Sequence, residues 1–115
     1  MPQGIPSGWG RGRGFMGHYL PLIILKIIQE KGAAHGYEIM KVVSELFETE
    51  VPPGMIYMYL RRMEHRGLVT SQWDTSSSPP KRIYRITPLG ESYFESLSPH
   101  LRILKKVLDY ICREC

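Results

Sequence analysis

The sequence is short of most features that would commit it to a chemistry. Two of its 115 residues are cysteine, Cys112 and Cys115, too few for a disulfide framework. Their C-x-x-C spacing stands without nearby histidine or a βαβ context, so we read them as incidental helix cysteines and expect no metal site. The longest apolar run, Tyr19 to Ile28, contains Pro21 and Lys26 and is too short to span a bilayer. The first residues lack the apolar core of a signal peptide, so the expected location is the cytoplasm and no membrane contact is expected. No Gly-rich phosphate loop, no Ser/His/Asp set and no carboxylate pair in a plausible cleft is present. The sequence therefore offers no enzyme and calls for no cofactor. A chain of this length is one compact unit with a modest core, completed where needed by a partner.

What is present is positive charge and helical periodicity. Fifteen Lys and Arg against eleven Asp and Glu leave a formal charge of +4 and a pI near 9.2, pointing weakly to an anionic partner such as nucleic acid. The stretch from Pro52 to Gly67 organises the chain: prolines open it, glycine closes it, and the spacing between predicts one helix. At roughly 100° per residue, Ile56, Tyr59, Leu60 and Met63 form a core stripe. Gly54, Tyr57, Met58, Arg61 and His65 fall outside it. Tyr57 and Arg61 stand one turn apart with few acidic neighbours, a pairing suited to phosphate oxygens and base edges. This reads as a recognition helix; the alternative is an ordinary amphipathic helix whose Tyr and Arg cover apolar surface.

Residues 1–17 are rich in glycine, with Arg11 and Arg13 among them, and are expected to form a flexible arm that either follows a phosphate backbone or has no role. Residues 18–87 are expected to be a winged helix-turn-helix DNA-binding domain. Its first helix runs from Tyr19 to Lys31, with Pro21 in the first turn and Gly32 ending it. A second helix, from about His35 to Glu48, should bury Ile39, Val43, Leu46 and Phe47, and Gly36 leaves room for a close helix crossing. His35 and Tyr37 lie where helix N–H groups favour a phosphate; a capping or loop histidine is the alternative for His35. Leu68–Trp73 and Arg82–Ile86 alternate as two strands around a polar loop. With Lys81, Arg82 and Arg85 beside the loop, the hairpin suits a wing on the DNA backbone, against the alternative of solvated charge.

Several separated motifs, in order, resemble one family. They are His35-Gly36-Tyr37-Glu38, the helix start Gly54-Met55-Ile56-Tyr57, Glu64-His65-Arg66-Gly67-Leu68-Val69, and above all Ser78 to Gly90, read as SPPKRIYRITPLG. Together they look like the PadR family of winged-helix transcriptional regulators. The resemblance spans about Tyr19 to Gly90. It implies a dimeric repressor of a near-palindromic operator, released in some members by a small planar or hydrophobic ligand. It also implies DNA contacts at Tyr37, Gly54, Tyr57, Arg61, Lys81 and Arg82, to which the outward face of the helix adds Met58 and His65. The short C-terminal region resembles the subgroup with a single dimerisation helix.

Residues 88–115 are expected to be that helix. Thr87 and Pro88 make a cap and first position, and Phe94, Leu97, Leu101, Leu104, Leu108 and Ile111 recur as a heptad seam that calls for a second copy. Pro99 should kink or split the helix, with Ser98 as a new cap; a helix folded back on its own domain is the alternative to a homodimer. Any small hydrophobic or aromatic effector is expected near Trp9, Phe15 and Phe94. The expected fold is mainly α with a small two-stranded β wing. The competing function is a winged-helix module that binds another protein rather than double-stranded DNA.

Overall fold

A computed structural model describes residues 13–115, with side chains from residue 19 onward. The order is α1 (Arg13–Lys31), β1 (Ala34–His35), α2 (Gly36–Phe47), α3 (Pro53–His65), β2 (Val69–Asp74), β3 (Lys81–Ile86), α4 (Pro88–Ser96) and α5 (Ser98–Ile111). α1 begins ahead of Tyr19, so Pro21 sits inside the helix rather than in its first turn. An established helix propagates by one backbone hydrogen bond per added residue, whatever the apolar pattern, which is why that pattern marks its start too late. The part of the expected arm from 1 to 12 lies outside the described residues.

α1 is the axis of the core. Leu20, Ile24, Leu25 and Ile28 have no exposed surface, and Ile27 is nearly buried. Because these residues are spread round the helix, several elements pack on it: α2, β3 and α4 all do so. Ile39 and Val43 of α2 and Ile56, Leu60 and Met63 of α3 complete the cluster. Leu46, expected in the α2 stripe, is instead exposed. The turn after α2 tucks Val51 into the core, its N–H held at 3.1 Å by the Ser44 hydroxyl.

The sheet has three antiparallel strands in the order β1-β3-β2. The wing hairpin β2-β3 pairs Val69 with Ile86 through Asp74 with Lys81. A third strand of two residues, missing from the sequence reading, pairs Ala34 with Tyr84 and His35 with Ile83. Pairing on β3 creates it, since two residues carry no alternation of their own.

Thr87 locks the wing to what precedes and follows it. Its hydroxyl donates to the carbonyl of Gly67 at 2.6 Å and accepts from the Gly90 N–H at 3.0 Å, while Pro88 takes the first helical position. Gly90 is buried, and a Cβ there would run into the Leu68 carbonyl and Ile86. The C-terminal helix is split: α4 closes on Leu97, whose carbonyl starts α5 by accepting from Leu101 N–H at 2.9 Å. The new cap is thus the Leu97 backbone, with Ser98 already inside α5. α5 buries none of its residues. Cys112 and Cys115, read as incidental, are paired in a disulfide after its last turn.

Candidate nucleic-acid interface

The outward side of α3, the start of α2 and the wing enclose a cleft of about 660 Å³. α3 opens with Pro52 and Pro53, where a missing N–H costs nothing because the first helical N–H groups have no partner in the helix. Ile56, Leu60 and Met63 fix its inner side in the core, which turns Gly54, Tyr57, Arg61 and His65 outward, with Met58 half-buried at the edge. A Cβ at Gly54 would meet nothing within 4 Å among the described residues, so none of them requires glycine there by packing.

Gly36 does have an internal reason. A Cβ on it would overlap the Tyr57 ring, so the ring lies directly on the first residue of α2 and fixes the crossing of α2 and α3. Tyr57 nonetheless keeps 42% of its surface exposed. Tyr37, one residue along α2, is exposed with the Lys41 ammonium 5.8 Å from its ring centroid.

The wing supplies the opposite wall. Trp73 and Arg82 are cross-strand partners, and the Arg82 guanidinium lies 5.2 Å from the Trp73 ring centroid. Arg82 Nε donates to the Ser71 hydroxyl at 2.9 Å, and that hydroxyl donates to Glu64 Oε2 of α3 at 2.8 Å. This relay fixes the height of the wing over α3 and occupies the Glu64 carboxylate, leaving Arg61 and Lys81 as exposed cations lining the cleft. Tyr84 forms its buried floor, and burial pushes its phenol above the ordinary value.

His35, at the N-terminal cap of α2, does not present its ring freely. Its backbone N–H donates to Glu38 Oε1 at 2.8 Å, and its Nδ1 stands 3.0 Å from the same oxygen. Its Nε2 stands 3.4 Å from Asp74 Oδ2 at the end of β2. Glu38 is held below the ordinary carboxylate value, chiefly by the His35 backbone N–H. Asp74 is lowered too, first by the Ser76 hydroxyl and then by the Ser76 N–H, at 2.5 and 3.0 Å.

The structure therefore brings Tyr37, Tyr57, Arg61, Lys81 and Arg82 to one cleft, with Gly54, Met58 and His65 elsewhere on α3. Sequence reasoning missed Trp73 as part of this wall. Its signal was there in the hairpin register, which sets it opposite Arg82. The expected pairing residues lie apart from the cleft. Phe94 packs half-buried against the core, with Lys26 5.9 Å from its ring centroid; Leu97, Leu101 and Leu104 are half-buried, and Leu108 and Ile111 exposed. Trp9 and Phe15, named for an effector, lie outside the residues whose side chains are described. Among the described residues no group of three or more His, Cys, Asp or Glu could hold a metal ion. No helix among them is long and apolar enough to cross a membrane.

Known proteins share both fold and sequence with this chain. A solved structure described as a conserved protein of unknown function and potential transcriptional factor is 38% identical, with a TM-score of 0.72 over 87% of this chain and 90% of that one. A PadR family transcription regulator from Clostridium difficile R20291 is 32% identical, with a TM-score of 0.68 over 81% and 97%. The transcriptional activator GvpE2 of Halobacterium salinarum is 29% identical over 77 residues, 67% of this chain but 38% of that protein's length. The sequence model of the transcriptional regulator PadR-like family matches residues 24–96, a span running from the core of α1 through the wing to the end of α4. The chain belongs to the PadR-like family of transcriptional regulators.

Proposed function

We propose that this regulator binds double-stranded DNA as a homodimer, placing α3 in the major groove and the wing on the flanking backbone. The observation that carries this is the cleft. Its rim presents Arg61 and Lys81 unpaired by the nearby carboxylates, since Glu64 is occupied by Ser71 and Asp74 by Ser76 and His35. Exposed cations beside exposed Tyr37 and Tyr57 suit phosphates and base edges. Gly54, whose bareness nothing among the described residues explains, allows a backbone outside the chain to come close to the start of α3.

The dimer reading rests on α5. Ile103, Val107, Leu108, Tyr110 and Ile111 are all more than 40% exposed, a continuous apolar stripe of a kind rarely left in water. A second copy would cover it by two-fold symmetry and set two recognition helices one helical turn apart on a near-palindromic operator. Repression by occupying that operator is the role that the resemblance to the PadR family supports, as is release by a small hydrophobic or aromatic ligand, for which we place the site beside Phe94.

Binding to duplexes selected from a random pool, measured against salt, tests the reading. The expected result is a selected two-fold site and a log affinity that falls linearly with log salt. Weak binding without a selected site and with a flat salt response would favour the protein-binding module instead.

A further inference from the structure

We infer that Ser71 is a positioning residue for DNA recognition: its hydroxyl occupies the Glu64 carboxylate and holds Arg82 by its Nε, leaving Arg61 and Arg82 both open to DNA. The inference rests on the DNA-binding reading and goes beyond it by naming what keeps the two cations available.

The direction of the relay is fixed by its donors. Arg82 Nε can only donate, so the Ser71 oxygen accepts there at 2.9 Å, and the one hydroxyl proton is left for Glu64 Oε2 at 2.8 Å. Ser71 and Glu64 are both half-buried, where a contact to a charged group is screened less than in open water. Trp73, opposite Arg82 across the hairpin, stands against its guanidinium. Held at Nε and beside the indole, Arg82 keeps its terminal N–H groups for an acceptor outside the chain.

Glu64 has other partners within reach. It stands three residues after Arg61 on α3, the spacing at which an Arg and a Glu are neighbours on a helix surface. Yet the ion pairs among the described residues are Lys26 with Glu30, His35 with Glu38 and Asp74, and Lys105 with Asp109. Neither Arg61 nor Arg82 is among them. Both line the cleft together with Glu64, while Ser71 is not part of its lining. The hydroxyl therefore acts from behind the wall. Without it the carboxylate would turn to Arg61 on its own helix or to Arg82 across on the wing, and pairing with either withdraws a cation from DNA.

The test uses the full chain with two fluorescent duplexes, one carrying its selected site and one random, for wild type, Ser71→Ala, Ser71→Thr, Glu64→Gln and Ser71→Ala combined with Glu64→Gln. Ser71→Ala should bind the selected site about three- to tenfold more weakly, and Ser71→Thr, which keeps the hydroxyl, should bind as wild type does. Glu64→Gln still accepts from Ser71 but carries no charge, so it should bind both duplexes more tightly than wild type. In that background Ser71→Ala should cost less than about twofold. A loss that persists there in full would mean that the hydroxyl touches DNA or only braces the wing, and would overturn the inference. So would a Glu64→Gln protein with weakened binding, since Glu64 would then be a reader itself. NMR of the Arg82 Nε–H group in the DNA-free protein separates the two layers, because its signal should shift on Ser71→Ala. A signal indifferent to Ser71→Ala, with normal duplex binding by wild type, would sink the relay alone. No duplex binding by wild type, with a signal that does shift, would sink the DNA-binding reading and the inference with it.

Discussion

The two ends of the molecule are built on opposite terms. Between α2, α3 and the wing, the carboxylates near the cleft are tied to other side chains and the cations Arg61 and Lys81 are left exposed: Glu64 is held by Ser71, Ser71 by Arg82, and His35 stands between Glu38 and Asp74. Beyond Leu97, α5 has one ion pair of its own, Lys105 with Asp109 at 3.3 Å, and buries no residue. The first region is complete within one chain and needs only a ligand. The second leaves much of the apolar side of an amphipathic helix exposed, and the dimer reading rests on that side. The difference separates two kinds of sequence signal. Residues that read as reactive can already be satisfied internally, while residues that read as ordinary core can be waiting for a partner.

The comparison breaks most completely at α5. Leu104→Asp puts a carboxylate into the centre of the proposed seam on both copies, with a desolvation penalty of several kcal/mol. Dimer and operator binding should disappear together while the winged domain stays folded, which sedimentation and circular dichroism would show.

Within the complete region the largest effect should come from Gly90→Ala. The added methyl meets the Leu68 backbone carbonyl and Ile86, and a backbone atom cannot rotate away, so a loss of about 1 to 3 kcal/mol in unfolding free energy is expected. Gly36→Ala, whose obstacle is the Tyr57 side chain, should cost less stability and more DNA affinity. Denaturant titrations of the pair, alongside operator binding, would reveal a reversed order if Tyr57 were not the element seated on Gly36.

Lys81→Ala is the milder perturbation of the wing, since no internal hydrogen bond is lost with it. Specific and random duplexes should weaken alike, with a salt slope shallower by about one unit. Arg82→Ala should do more, because it also breaks the relay through Ser71 to Glu64.

The smallest effect concerns acid. Glu38 is held below its ordinary value, so its contribution to stability is present above the unfolded value of about 4.3 and is lost as pH falls through the lower folded value. Thermal melts between about pH 5 and 3 should therefore decline less for Glu38→Gln than for wild type.

Much of this was legible in the sequence because local chemistry and tertiary role agree. Prolines and glycine bracket α3, and its apolar residues at helical spacing are the buried ones. Thr87 and Pro88 start α4, and Pro99 marks the break that follows. Elements that depend on a distant partner were not legible. β1 exists only because β3 lies beside it. His35 and Asp74 are 39 residues apart, a contact no local pattern encodes. Leu46 carries the right spacing for burial yet lies exposed, while Val51 of the following turn is buried in the core. Trp73 read as one more strand residue until the register set it opposite Arg82.

The central claim is that the outward side of α3 reads DNA, and Arg61 tests it most directly. Selection of duplexes from a random pool by wild type and by Arg61→Ala, followed by affinity measurement on the winning sites, gives both specificity and energy. We predict a loss of about 1 to 3 kcal/mol on the wild-type site and relaxed preference at one base pair per half-site, as expected when a guanine-reading Arg is removed. An Arg61→Ala protein that selects the same site and binds it as tightly as wild type would contradict the account.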